Sequence, residues 1–479
     1  MTFSGKMMHT MTHITGKLLP LVLVLVAAVI TPLLLSENAA AQDVDTHPSD
    51  LFEPPQEGIE TASARDINMN RDLSYLLEEP QDGTEFALPR SSRQAESWRD
   101  YTHLSLRTSI TGESNIFLDN SENEQSDTIF TIAPTLSVSS PSLFGEDSTI
   151  SEYVRPRLSV SYTPSYRIYS NNSDLNGLDH NFRFNFNTDS ALQIKLPKTT
   201  ISFDLDYDQS QSADRRNGGF VGRDSLSAGA RVSHSLTGKT SLNFSATARS
   251  DSYDNSDNRN AGNSGQGLLD DVTYNFRASM MYQLTGKISV GPYVGYGISD
   301  VSGGSAGGVE NTQDRHSYSA GITGTYNATG KTVFTGSLGW TKYEFDGPSA
   351  GSGDDSLTWR FGLSHQLGPR TSLRATLWQD YKPSNSVGNT SYLATGASLA
   401  LRWRQSDRWS HSLSATYEND DYFSGDTAGD SGNSDYFSLR LSSNCRFNNG
   451  LSVGASLSSS TQNNNNANDQ ALNDFVCWS

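Results

Sequence analysis

Arginine is the residue whose type and spacing in this chain can do chemistry. Arg107, Arg155, Arg157, Arg167, Arg183, Arg231, Arg249, Arg277, Arg360, Arg374, Arg402, Arg404, Arg440 and Arg446 all fall on the polar positions of an alternating pattern. Asp189, Asp204, Asp206, Asp208, Asp380 and Glu418 share that parity, so about fourteen guanidinium groups stand against about six carboxylates. The guanidinium fork stays charged and matches carboxylate or phosphate, and a ladder of weak sites moves an anion without trapping it. Arg183, Arg277, Arg360 and Arg374 lie away from the expected strand ends and, with Arg231, Arg249 and Arg440, are the candidate pore-lining residues. For any one of them the plainer account is an ion pair across the wall to Asp204, Asp206, Asp208 or a similar acid. The surplus as a whole resists that account.

Other chemistry is poorly supported. His234, His316, His365 and His411 fall on the opposite, apolar parity without a Ser or Asp partner, and no nucleophile–base pair or phosphate loop is present. Asp354 with Asp355 and Asp420 with Asp421 offer oxygen ligands, but no calcium-loop spacing accompanies them, so turn formation and solubility explain them. No catalytic residue, metal site or cofactor is expected. Cys445 and Cys477 fall on different, non-adjacent strands, which argues against a structural disulfide. The formal net charge of −18 argues against nucleic acid as a partner. The acids not on the arginine parity are assigned to loops and leader.

The elements that must position these arginines are strands. From about residue 101 onward apolar residues occupy every second position, as in Val272, Tyr274, Phe276, Ala278, Met280, Tyr282 and Leu284, while Thr273, Asn275, Arg277, Ser279 and Gln283 take the other parity. One face suits lipid and the other suits water. Tight turns recur as Thr237-Gly238-Lys239, Thr285-Gly286-Lys287 and Thr329-Gly330-Lys331, with further breaks at Pro197-Lys198, Gly368-Pro369-Arg370, Ser406-Asp407-Arg408 and Asn448-Asn449-Gly450. Their spacing, roughly 40 to 50 residues, is one hairpin plus one long loop.

The ends of the pattern are marked by composition. Lys6 and Lys17 precede an apolar run from Leu18 to Leu35, and Ala39-Ala40-Ala41 supplies a cleavage site, so residues 1–41 read as a secretory signal. A retained anchor helix is the alternative, disfavoured by Pro20, Pro32 and the small-residue ending. Residues 42–100 are acidic and lack alternation, which reads as a flexible periplasmic leader; an ordered plug within a basic lumen is the alternative. No later stretch reaches the ~18 consecutive apolar residues of a membrane helix, and 35% hydrophobic residues suit one outward face of a barrel better than a large soluble core.

The expected fold is therefore an all-β, antiparallel transmembrane β-barrel over residues 101–479, with about 18 strands and 16 as the fallback. Strands are expected near 102–112, 127–139, 152–169, 180–196, 200–209, 222–236, 240–250, 272–284, 288–299, 315–327, 332–344, 357–367, 372–381, 391–405, 409–418, 435–447 and 451–461, and a partial one near 472–479. Short turns should face the periplasm and the long loops outward. Tyr282, Tyr326, Trp403, Trp409 and Phe447 suit one aromatic girdle, and Tyr207, Tyr274, Tyr296, Tyr318 and Tyr417 the other. Pro134, Pro156, Pro164 and Pro292 interrupt strands and mark either bulges or a wrong register. A soluble β-rich domain is the competing fold, but it does not alternate tight turns and long loops through so many hairpins.

The segment Ile110-Thr111-Gly112-Glu113-Ser114-Asn115-Ile116-Phe117-Leu118-Asp119, followed by Ser126-Asp127-Thr128-Ile129-Phe130-Thr131-Ile132-Ala133-Pro134, resembles the start of the type-two outer-membrane β-barrel porin family. That family shows a similar Asn-Ile-Phe-Leu stretch after its first strand and a similar second strand. The resemblance implies an outer-membrane barrel, in some members encoded beside exopolysaccharide synthesis and export genes, and implies no catalytic residues. Such barrels end in a full strand with a terminal aromatic residue, whereas Phe475-Val476-Cys477-Trp478-Ser479 offers only Trp478 near its end, so a partial closing strand is expected.

Two functions follow as expectations. The first is a porin-like channel in the outer membrane of a Gram-negative cell, passing an anionic exopolysaccharide or other anionic solute through an Arg-lined lumen. The second is a closed structural barrel whose long loops act as adhesin or envelope anchor. The implied partners are outer-membrane lipid and lipopolysaccharide, the barrel assembly machinery and periplasmic polysaccharide export components.

Overall fold

A computed structural model describes residues 102–118, 124–140, 156–188, 199–214, 219–254, 270–302, 305–306, 309–310, 314–346, 355–383, 389–424, 433–447, 450–464 and 475–478. The expected signal peptide and leader lie outside these residues. The strands are β1 (Thr102–Glu113), β2 (Asp127–Ser140), β3 (Pro156–Tyr169), β4 (Gly177–Thr188), β5 (Thr199–Asp214), β6 (Gly219–Ser235), β7 (Thr240–Asp254), β8 (Asp270–Gln283) and β9 (Ile288–Ser302). A minimal hairpin, β10 (Ser305–Ala306) and β11 (Val309–Glu310), follows. Then come β12 (Asp314–Thr329), β13 (Thr332–Asp346), β14 (Asp355–Gly368), β15 (Thr371–Pro383), β16 (Asn389–Arg404), β17 (Trp409–Ser424), β18 (Asn433–Arg446), β19 (Ser452–Asn464) and β20 (Phe475–Trp478).

Apart from the β10–β11 hairpin, the strands form one 18-stranded sheet in which each pairs antiparallel with the next, β9 pairing directly with β12. The four-residue β20 pairs with Ser459–Gln462 of β19 and lies against β1, which brings the sheet round into a ring. Along that seam residues 103–112 of β1, nearly its whole length, and residues 452–457 of β19 have no second ladder partner among the described residues. Cys445 on β18 is a free thiol, and β19 separates its strand from that of Cys477.

The outward face is an apolar belt. Leu104, Leu106 and Ile110 of β1, Val294 of β9, Ile322 of β12, Leu377 of β15, Leu441 of β18 and Leu457 of β19 are all exposed. In water so continuous an apolar surface would be unstable, whereas against lipid it is the required face. Aromatic side chains bracket it: Tyr282, Tyr326, Trp403, Trp409 and Phe447 are exposed beside the short turns, and Tyr318 and Tyr417 beside the long loops. This is the architecture of an outer-membrane β-barrel. No described helix is long and apolar enough to cross a membrane; the crossing is made by strands.

The expected register holds, and the prolines show how. In an unbroken β2–β3 ladder Pro134 would face Pro164, and there pairing lapses between Ile132↔Tyr166 and Leu136↔Tyr162. A hydroxyl contact of 2.8 Å between Thr135 and Thr163 fills part of the gap. Pro292 likewise falls where β8–β9 pairing lapses between Ser279↔Tyr293 and Tyr282↔Val290, and Pro156 opens β3. Each proline, lacking an N–H, thus sits where no bond is made on one side.

Strand ends differ from expectation at the long loops. β5 continues to Asp214, β7 to Asp254 and β17 to Ser424, so the loops expected at 210–221, 251–271 and 419–434 are shorter. Above the lipid both faces are wet and alternation fades, yet the backbone ladder continues. β4 is described as far as Thr188; the rest of its expected span to residue 196, with Asp189, the Pro197-Lys198 turn, Arg155 and the Arg157 side chain, falls outside the described residues.

At the long-loop end the first hairpins are clamped together. Asp127 accepts hydrogen bonds from the backbone N–H groups of Ser170, Asn171 and Asn172 at 2.9, 3.0 and 2.9 Å and from the side chains of Ser170 and Asn172 at 2.7 and 2.9 Å. Beside it Ile116, Phe117, Ile129, Tyr169, Leu175 and Phe220 form a buried cluster, with the Phe220 ring edge-on to Phe117 and Tyr169. Leu118 turns the chain with a φ of 54°. The Asn115-Ile116-Phe117-Leu118 stretch is therefore an apolar loop tucked onto the barrel mouth. Asp127→Ala leaves that turn's donors without their acceptor and should cost about 2–4 kcal/mol, since bonds to a charged acceptor are worth ~1.5–3 kcal/mol each but are partly replaced by water. The urea midpoint of the folded, heat-modifiable barrel should fall accordingly.

Candidate functional site: the inward wall

The face opposite the apolar belt carries the charges, and they sort by height. Near the long-loop end the inward side chains are buried. Asp251 of β7 accepts from Arg223 at 2.9 Å and from Arg249 at 2.5 Å. Arg167 and Asp179 pair at 2.8 Å, with an Arg167 guanidinium N–H also donating to the Gln211 carbonyl. Lys382 of β15 lies 3.3 Å from Glu418 of β17 and 5.6 Å from the centre of the Tyr392 ring. Tyr392 packs on Tyr422 at 5.1 Å, and Tyr343 on Tyr381 at 4.8 Å. Arg315 of β12 is fully buried on this wall.

Glycine makes room for flat aromatic rings on this wall. A side chain at Gly321 or Gly339 would run into the Tyr293 ring, and one at Gly396 into Trp378. Tyr293 therefore lies against the wall, and the guanidinium of Arg277 sits 3.8 Å from its ring centre. That is close stacking for a cation–π pair. Trp378 is buried with its indole N–H lacking an acceptor among the described residues.

Near the short-turn end the wall changes character. Arg231 stands in register with Ser202 and Ser245, Arg374 with Ser364 and Ala400, and Arg440 with Ser414 and Ser458. Arg107 of β1 is in register with Ala133. None of these four makes an ion pair among the described residues, and their neighbours are too short to shield them; Arg107 and Arg374 are exposed. All four lie within about six residues of the short-turn strand ends, roughly 20 Å of chain.

The seven candidate arginines thus divide. Arg249 is bonded to Asp251, Arg360 to Asp380 at 2.5 Å, and Arg183 stands 3.6 Å from Asp206, its ladder partner. Arg277 has its aromatic partner, and Arg231, Arg374 and Arg440 keep free charge. The count of inward acids needs correcting: Asp127, Asp179, Asp251, Asp271 and Asp420, expected in loops or left out of the inward set, are strand residues on the inward face. Arg223, Arg315 and Lys382 were also missed. The signal was available in phase, since Asp251 continues the parity of Thr247 and Arg249, and Asp271 that of Thr273, Asn275 and Arg277.

No protein-family model matches the sequence. No curated protein matches it either. Solved structures of outer-membrane transporters and receptors show a distant likeness. The FrpB iron transporter of Neisseria meningitidis (F5-1 variant) is 10% identical over 78% of this chain and 64% of its own, with a TM-score of 0.43. The siderophore receptor PiuA of Acinetobacter baumannii is 10% identical over 81% of this chain and 82% of its own, at a TM-score of 0.37. The alcaligin outer membrane receptor FauA of Bordetella pertussis is 12% identical over 81% and 76%, at 0.38. The chain spans just under two thirds of the length of FrpB, and at these values the likeness carries no argument.

Removing one partner of a buried ion pair should be costly. Glu418→Gln should destabilise the barrel by about 3–5 kcal/mol, and adding Lys382→Met should restore most of that loss, because the uncompensated charge is then gone. Urea unfolding of both variants, monitored by tryptophan fluorescence, reads the difference.

Proposed function

We propose that this protein is an outer-membrane channel that collects an anionic solute at its periplasmic end. The observation that carries the reading is the set of uncompensated inward arginines near the short turns, Arg107, Arg231, Arg374 and Arg440, set among serine and alanine. A ring of 18 strands is wide enough to enclose an aqueous lumen. In such a lumen, unpaired guanidinium groups raise the local concentration of carboxylate- or sulfate-bearing solutes. The motif resemblance at residues 110–134 adds the substrate class, an anionic exopolysaccharide delivered from the periplasm, and with it membership of the type-two porin family.

A second reading is favoured by a different observation. The inward groups of the outer half, among them Arg315, Glu418, Tyr392 and Trp378, are buried, which suits a barrel closed on the outer side that acts through its loops as adhesin or anchor. Planar-bilayer conductance separates the two. The channel reading expects an anion-selective reversal potential under a salt gradient. Replacing Arg107, Arg231, Arg374 and Arg440 with glutamate should turn the selectivity toward cations while leaving the barrel folded. A folded, heat-modifiable barrel that never conducts overturns the channel in favour of the closed barrel.

A further inference from the structure

The short turns between β6 and β17 share a construction. They are the five consecutive connections β6–β7, β8–β9, β12–β13, β14–β15 and β16–β17, and each ends in a base: Lys239, Lys287, Lys331, Arg370 and Arg408. All five side chains are exposed. In four turns a hydroxyl holds the base's own N–H: Thr237 accepts from Lys239 at 3.1 Å, Thr285 from Lys287 at 3.2 Å, Thr329 from Lys331 at 3.1 Å and Ser406 from Arg408 at 3.3 Å. In all five the carbonyl of the base accepts from the neighbouring strand, from Gln283, Asn327, Gln366, Arg404 and Arg446 at 2.7 to 2.8 Å. Each base is therefore pinned at its backbone by the turn before it and the strand after it.

Depth fixes what these bases meet. Tyr282, Tyr326, Trp403 and Trp409 face outward in the last residues before, or first residues after, these turns. Aromatic girdles mark the level where hydrocarbon gives way to headgroups, so side chains one turn further out lie among the headgroups. Two strand spacings separate successive bases, about 10 Å, comparable to the spacing of lipids packed against a wall. Asp407, 3.8 Å from Arg370, is the one acid in these turns and leaves the arc strongly basic. From this geometry we propose that the turns of β6 through β17 form a docking arc for anionic phospholipid headgroups of the periplasmic leaflet, a binding surface separate from the lumen.

The test is lipid selectivity at the protein boundary. The folded barrel is reconstituted in phosphatidylcholine, and spin-labelled phosphatidylglycerol is compared with spin-labelled phosphatidylcholine by electron paramagnetic resonance. A base near an anionic surface contributes about a fivefold preference. The wild type should therefore enrich phosphatidylglycerol several-fold at low salt and lose the enrichment at high salt. The variant K239Q/K287Q/K331Q/R370Q/R408Q should show none. If that variant does not fold, the salt titration of the wild type and the singles K287Q and R408Q, each lowering the enrichment, carry the test. Equal association of the two lipids with the wild type, or enrichment unchanged by the substitutions, overturns the proposal. Dextran sulfate binding lost in the same variant without any lipid preference would overturn it too, and would make the arc a surface for a soluble polyanion.

Discussion

Backbone hydrogen bonding in a solvent that offers none is the constraint on which this structure depends. Strand N–H and C=O groups at membrane depth need another strand as partner, and so the sheet runs strand by strand from β1 to β20, which comes back beside β1; the seam there, at residues 103–112 and 452–457, is the exception among the described residues. The remaining features are what that ring permits. Prolines occur, but Pro134 and Pro164 share one gap and Pro292 takes another, so that the missing donors coincide with lapses in pairing. Turns at the short end are tight and stitched to their neighbours, while β5, β7 and β17 rise past the lipid because the ladder remains favourable in water.

Within the ring, the wall decides which charges are spent and which are free. Ionic partnership on the wall is local: an arginine pairs with an acid directly across the ladder or two positions along its own or a neighbouring strand. Arg183 faces Asp206, and Arg249 lies within reach of Asp251 two residues on, so their charge is neutralised close to home. Arg231, Arg374 and Arg440 face Ser and Ala, and theirs is not. The result is a change of electrostatic character along the lumen: paired charges dominate toward the long loops, and Arg107, Arg231, Arg374 and Arg440, without an ion pair among the described residues, lie toward the short turns, where Arg183 alone of the candidates is paired to an acid. It arises without any net excess being needed, which is why the formal charge of −18 and a locally basic vestibule coexist.

The long-loop end adds a second kind of order. Asp127 stands at the start of β2, and its carboxylate replaces water as the acceptor for the turn at Ser170, Asn171 and Asn172. The apolar residues Ile116, Phe117, Leu175 and Phe220, which would be a liability in open loops, find one another instead. Loop and wall therefore hold one another at the mouth.

What the sequence determined by itself was local: strand existence, face, turn position and girdle level, all of which follow from a two-residue period and from the chemistry of Thr-Gly-Lys turns. Alternation tells lipid from lumen because successive Cβ atoms point to opposite sides, and it placed the candidate arginines on the inward face for that reason. Strand ends were less legible, since alternation disappears where both faces are wet, and for the same reason Asp251, Asp271 and Asp420 were read as loop acids. Only the tertiary structure decided which arginines are free. Alignment of the strands brings Arg360 to Asp380 across 20 residues and Lys382 to Glu418 across 36. Such partnerships depend on ladder alignment and ring closure, and no single strand encodes either.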